Sequence, residues 1–284
     1  MRFASFPKFA LLVAPAVVFV MALAGCGSNN NMTLTQGNWS VAATSTAVLE
    51  PMHQLGNSKR LSPNISNVSF YAGGNLTQTG TNVAGTMYIY GSLCFDSSSR
   101  IDFTGTVNGT KVTLTSPSVN GQVITVTATG TSTSATSALT GTYTVTGGCD
   151  DGDSGTLTAS AVAPITGTWT GTLTNCTDGP LGCVPATISI DLTEATTASS
   201  DGTFALTGPV TYTTSSCSSN GTISAGSIAG PYVHLNDSPN DTGSFDYSFG
   251  RLDSTSAPAN MTGTYQVSGG NCDGAQTTLT LTKQ

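Results

Sequence analysis

Alternation with a period of two runs through most of the chain. Ile188, Ile190 and Leu192 alternate with Thr187, Ser189 and Asp191, which puts the apolar set on one face of a strand and the polar set on the other. Similar short runs, rich in Val, Thr and aromatic residues and punctuated by Gly, Asn, Asp and Ser, continue to the C-terminus. In the second half, eight strands are predicted: near Gly167 to Leu173, Thr187 to Thr193, Thr203 to Tyr212, Thr222 to Ile228, Tyr232 to Leu235, Ser244 to Phe249, Gly263 to Val267 and Thr277 to Thr282. Asn108-Gly109, between two such runs, is a tight-hairpin signal. Eight strands on short turns fit an all-β domain of one of two kinds, an antiparallel up-and-down β-barrel or a flattened β-sandwich.

The unit occurs twice. Gly37-Asn38-Trp39 matches Gly167-Thr168-Trp169, and Gly74-Asn75-Leu76 with Thr79-Gly80 matches Gly202-Thr203-Phe204 with Thr207-Gly208. The run from Gly105 to Leu114 aligns without gaps on Gly226 to Leu235, and Leu139 to Val145 aligns on Met261 to Val267. Four blocks in one order predict tandem homologous domains over 37–160 and 165–284, joined around Ala161-Val162-Ala163-Pro164.

The N-terminus breaks the pattern. Arg2 and Lys8 precede an apolar stretch from Phe9 to Ala22, and Leu23-Ala24-Gly25-Cys26 follows. This resembles the lipobox signal of bacterial lipoproteins. The resemblance implies export, diacylglycerol on the Cys26 sulfur, removal of residues 1–25 as a signal peptide, and a membrane partner reached through the lipid anchor. Pro15 and the shortness of the run argue against a retained span, which needs about 20 residues. One acyl chain binds a bilayer marginally, so a lasting anchor takes the three-chain modification. Gly27, where Asp would signal inner-membrane retention, favours the outer membrane of a Gram-negative envelope. Residues 26–36 are then expected to be the acylated cysteine and a tether.

Seven cysteines are present. With Cys26 acylated, six remain, and these could pair in fifteen ways. Cys94 and Cys149 are 55 residues apart, as are Cys217 and Cys272, each pair in matching places. The repeat therefore selects Cys94–Cys149 and Cys217–Cys272, leaving Cys176–Cys183 as a local loop. Disulfides suit an exported chain better than metal ligation does. In an up-and-down barrel all three bridges would lie at the end away from each domain's entry, around a mouth.

The opening Gly-X-Trp of each repeat, at Gly37 with Trp39 and Gly167 with Trp169, resembles the first-strand motif of the calycins, the lipocalin and avidin group of eight-stranded barrels. That resemblance implies a ligand site at the open mouth, with each tryptophan plugging the opposite end. The basic residue that lipocalins carry late in the barrel, over the tryptophan, has no evident counterpart in either repeat.

Charge narrows the partners. Only 8% of residues are charged, so the polar surface must consist of Ser, Thr, Asn and Gly. Without Arg2 and Lys8, six basic residues face fifteen acidic ones, a net of −9 with no basic cluster. Nucleic acid is therefore not an expected partner.

Chemistry-bearing side chains are sparse. The two histidines, His53 and His234, and the two glutamates, Glu50 and Glu194, form no recognisable nucleophile motif, and no phosphate-binding loop or cofactor motif is present. An enzyme is not expected. Glu50, His53, Lys59 and Arg60 cluster in a long loop from Thr44 to Ser66 that could act as a lid at the mouth. Asp150, Asp151 and Asp153 beside Cys149 form a calcium candidate on a turn, without the downstream glutamate of an EF-hand. Two readings follow: a non-enzymatic lipid-anchored envelope protein binding a small or apolar ligand or a glycan at the bridged end of its β-domains, or a structural or adhesive surface lipoprotein with no small-molecule ligand. An empty interior separates the first from the second.

Overall fold

The structure is a computed structural model describing residues 31–46, 70–90, 100–131, 135–173, 186–213, 220–239, 245–268 and 273–284. In chain order the first half comprises β1 (Thr33–Leu34), β2 (Gly37–Ser45), β3 (Phe70–Thr79), β4 (Asn82–Tyr90), β5 (Arg100–Asn108), β6 (Lys111–Thr115), β7 (Val123–Gly130), β8 (Ala135–Thr136), β9 (Ala138–Thr146) and β10 (Ser154–Ala161). Apart from the short β1 and β8, which pair with each other in parallel, these strands close into an antiparallel barrel. Closure runs through β10 against β2, from Gly155 opposite Ser45 to Ala161 opposite Trp39. The barrel, not the flattened sandwich, is the architecture.

The second half comprises β11 (Gly167–Leu173), β12 (Ala186–Glu194), β13 (Phe204–Thr207), β14 (Pro209–Thr213), β15 (Gly221–Ala229), β16 (Tyr232–Pro239), β17 (Phe245–Leu252), β18 (Asn260–Ser268) and β19 (Gln276–Lys283). β11 pairs with both β12 and β19, so this sheet also closes. β13 and β14 are one wall strand broken at Gly208, whose φ of 144° is followed by a proline that cannot donate to the ladder. Counting them together gives eight wall strands again, at the places the alternation predicts.

Three of the four repeat blocks fall on equivalent strands. The second does not: Gly74 to Gly80 belongs to the second wall strand and its turn, whereas Gly202 to Gly208 belongs to the third. A glycine-flanked apolar run fits any strand of such a barrel, so this block aligned by composition alone.

Inward positions fill both interiors. Trp39, Ile89, Ile101 and Val112 in the first barrel, and Trp169, Ile228 and Leu281 in the second, are fully buried. Outward positions carry threonine in cross-strand rows, as where Thr127 lies between Thr113 and Thr142 and the latter pairs with Thr156. Such pairs add to sheet stability and supply the polar surface that charge does not. Among the described residues, two recesses of about 10 Å³ each lie inside the second barrel, room for roughly one water apiece.

The first barrel begins earlier than expected. Residues from Asn31 to Gln36 are a strap folded across its entry end, not a tether: Met32 and Leu34 are buried, Met32 N donates to Gly109 O at 2.7 Å, and Leu34 N donates to Gln78 Oε1 at 2.7 Å. Among the described residues no helix is long and apolar enough to cross a membrane.

Candidate functional site

Strand direction puts the connections after the first, third, fifth and seventh wall strands at one end of each barrel, as expected for a mouth. Cys149 lies at that end and is disulfide-bonded. The loop bearing Glu50, His53, Lys59 and Arg60 lies outside the described residues, as do Cys26, Cys94, Cys176, Cys183, Cys217 and Cys272.

What the described residues show at each mouth is a polar knot. In the first barrel the Tyr143 hydroxyl donates to Asp153 Oδ2 at 2.9 Å, Ser45 Oγ donates to Asp153 Oδ1 at 2.6 Å, and Phe70 packs edge-on against Tyr143. In the second, Tyr212 donates to the buried Asp237 at 2.7 Å, and Tyr265 donates to the Tyr212 hydroxyl at 3.4 Å. Tyr143 and Tyr265 occupy equivalent places in the repeat, so each barrel sets a tyrosine hydroxyl at this end.

These bonds also engage two of the calcium candidate's three carboxylates. Asp153 turns inward to Tyr143 and Ser45, while Asp151 Oδ1 accepts from Gly147 N at 2.7 Å to hold the turn. Asp153 and Asp151 thus serve separate structural tasks, and no three potential ligands converge among the described residues. His234 is exposed, opposite in parity to buried Val233 and Leu235.

At the entry ends the two tryptophans behave alike. Trp39 Nε1 donates to Thr35 O at 2.7 Å and Trp169 Nε1 donates to Ile165 O at 2.8 Å, each reaching the segment that leads into its own barrel. The ends differ in what lies over the ring. Lys283 Nζ sits 5.7 Å from the Trp169 ring centroid, a cation–π geometry. A basic residue over a tryptophan, which the sequence did not reveal, is therefore present in the second barrel. Its cross-strand partner is Trp169, and the matching partner of Trp39 is Ala161. A signal existed: Lys283 shares the parity of Leu279 and Leu281, so it had to end the inward row. Burial pushes the carboxyl of nearby Glu194 above its ordinary value, opposed by the Ile165 N–H, which donates at 2.7 Å, and by the Lys283 charge.

The barrels meet through a close joint that sequence reasoning missed. Asn38 and Gly230 bond reciprocally while buried: Asn38 Nδ2 donates to Gly230 O at 2.9 Å, and Gly230 N donates to Asn38 Oδ1 at 2.6 Å. Backbone meets backbone where Gly73 faces Ala229 and Gly230; a Cβ on Gly73 would lie 2.6 Å from the Ala229 oxygen. The paired glycines 73 and 74 inside an otherwise regular strand were the available signal for such an approach. Beside this contact Tyr90 packs on Tyr232 with ring centroids 4.5 Å apart, and the Arg251 guanidinium lies 5.4 Å from the Tyr71 ring centroid. Burial, with the neighbouring Tyr232 and Tyr88 hydroxyls, pushes the Tyr90 phenol up to about 12. The connecting segment is bound too, with Ala163 N donating to Thr255 O at 2.7 Å and Ser160 Oγ 3.0 Å from Thr255 Oγ1.

On the linker side of this joint lies a cleft of about 680 Å³. Its walls come from both barrels and include Gln36, Ser137, Thr196, Ser256, Pro164 and Glu194. A second, shallower depression of about 460 Å³ lies on the outer wall of the first barrel over Thr129, Thr142 and Thr158.

No family model matches the chain, and no curated protein matches it. Among solved structures, one that aligns is a crystal structure of a protein of unknown function from the DUF3598 family, from Nostoc punctiforme PCC 73102. It is 10% identical, with 88% of this chain and 96% of that chain covered at a TM-score of 0.26.

Proposed function

We propose that the chain is a non-enzymatic envelope protein, anchored by lipid on Cys26, whose two filled barrels recognise partners on their outer surfaces. The observation that carries this reading is the content of the second barrel: recesses of about 10 Å³ are far below the roughly 300–1,000 Å³ of small-molecule sites. The first barrel also carries a tyrosine–carboxylate bond at its mouth end, from Tyr143 to Asp153, though between other strand positions than Tyr212 and Asp237. The Leu23-to-Cys26 lipobox supports export and, with Gly27, an outer-membrane address. Disulfide-bonded Cys149 supports an oxidising compartment, and the repeat spacing pairs it with Cys94, Cys217 with Cys272, and Cys176 with Cys183. Lys283 over Trp169 strengthens the calycin resemblance of the second barrel.

Metabolic labelling with an alkynyl fatty acid, followed by membrane fractionation, tests the anchor. Label and membrane retention are both expected to vanish in Cys26→Ser, and a variant that keeps them overturns it. Native mass spectrometry of the protein from its own membrane tests the surface reading. The expected mass is the processed polypeptide with its acyl groups, whereas a stoichiometric apolar molecule in addition would restore a calyx.

A further inference from the structure

The cleft between the barrels is larger than the outer-wall depression and either interior recess. Its volume of about 680 Å³ falls in the range of small-ligand sites, which favour domain junctions. The cleft is preformed, because the Asn38–Gly230 pair, the Ala163–Thr255 bond and the Ser160–Thr255 contact fix both walls. Preorganisation of this kind removes part of the ordering cost of binding.

The lining selects the ligand chemistry. It contains no lysine or arginine, and its one ionisable group is Glu194. A phosphate, sulfate or carboxylate ligand would therefore meet the Glu194 charge at the wall, while Lys283, outside the lining, is bonded to the Pro164 oxygen at 3.4 Å and already acts on that carboxylate. Ser137, Thr196 and Ser256 offer exposed hydroxyls, Gln36 an exposed amide and Pro164 an apolar surface. Hydroxyl groups that both donate and accept, set on a carbon skeleton with apolar C–H faces, match such a wall.

We propose that the inter-barrel cleft is a binding site for a short neutral oligosaccharide, held by the hydroxyl and amide groups of both barrels, with a sugar hydroxyl donating to Glu194. Half-burial of that carboxylate fits the role, since a ligand donor replaces water it has lost. The site goes beyond the surface reading above and does not depend on acylation of Cys26.

The test uses the full chain in detergent micelles, titrated calorimetrically with chitotetraose, cellotetraose and maltotetraose, and with tetragalacturonate as the anionic counterpart. At least one neutral tetrasaccharide is expected to bind, and tetragalacturonate is not. Ser137→Trp and Ser256→Trp, exposed positions on opposite walls, should each fill the cleft and weaken binding at least tenfold with no change in melting temperature. If one of them misfolds, the other carries the comparison. The proposal is overturned if no neutral tetrasaccharide binds, if tetragalacturonate binds as well as they do, or if a folded tryptophan variant binds like the parent. Fatty-acid labelling at Cys26 and the native mass are separate readouts, so loss of the saccharide site leaves them standing.

Discussion

Replacing Gly73 by alanine should act with opposite signs on the first barrel and on the joint. Within β3 the change is favourable, since glycine in a strand costs roughly 0.5–1 kcal/mol relative to alanine. Across the joint the new methyl would lie 2.6 Å from the Ala229 oxygen and the Gly230 nitrogen, where ordinary contact begins at 3.4 Å. Backbone stands on both sides, so the joint must open by about 1 Å. Both Asn38–Gly230 bonds, now at 2.9 and 2.6 Å, then stretch or break. Two buried bonds at about 1 kcal/mol each, plus partly unsatisfied polar groups at about 1–3 kcal/mol, predict a docking loss of about 3–5 kcal/mol. Scanning calorimetry on the full chain reads both effects. The parent should melt in one cooperative transition, and Gly73→Ala in two, with the first barrel no less stable than before. Asn38→Ala should split the transition by an independent route. A single unshifted transition in both variants would refute docking through this contact.

Three further outcomes are expected. Leu34→Ala should cost about 2–4 kcal/mol in urea denaturation, the usual range for a buried leucine; a midpoint equal to the parent's would mean that the strap is a tether after all. Lys283→Met should lower stability by about 0.5–1 kcal/mol through the lost cation–π contact, and no loss would show that the ammonium merely snorkels past Trp169. Because Glu194 has a folded pKa above its unfolded one, its contribution is full below the unfolded value and fades as pH rises through the folded value. The stability of the parent relative to Glu194→Gln should therefore fall from acid to neutral pH, and a pH-independent difference in urea midpoint would contradict the burial argument.

Local periodicity carried most of the fold. Ile188, Ile190 and Leu192 could face only one way, and the two Gly-X-Trp openings placed both barrel entries. Contacts between distant segments were legible only where parity extended them. Lys283 meets Trp169 because the last strand closes on the first, a relation invisible to local pattern until the inward row from Leu279 is counted to its end. The second repeat block went astray because a glycine-bounded apolar run scores equally on neighbouring strands. The cleft had no local signal, since its walls come from strand ends, turns and linker residues that only the docking of two closed barrels brings together.

The strap also changes the mechanics of attachment. On the proposed acylation of Cys26, four residues rather than ten would separate the lipid from the first described residue. At about 3.5 Å per residue that leash reaches at most about 18 Å. The volume through which the body can wander scales as the cube of the leash, so it shrinks roughly tenfold compared with a leash running to Gln36. On that proposal the first barrel would stand at headgroup height with its entry end down. A pull on the lipid reaches the strap's bonds to Gly109 and Gln78 before it reaches any wall strand.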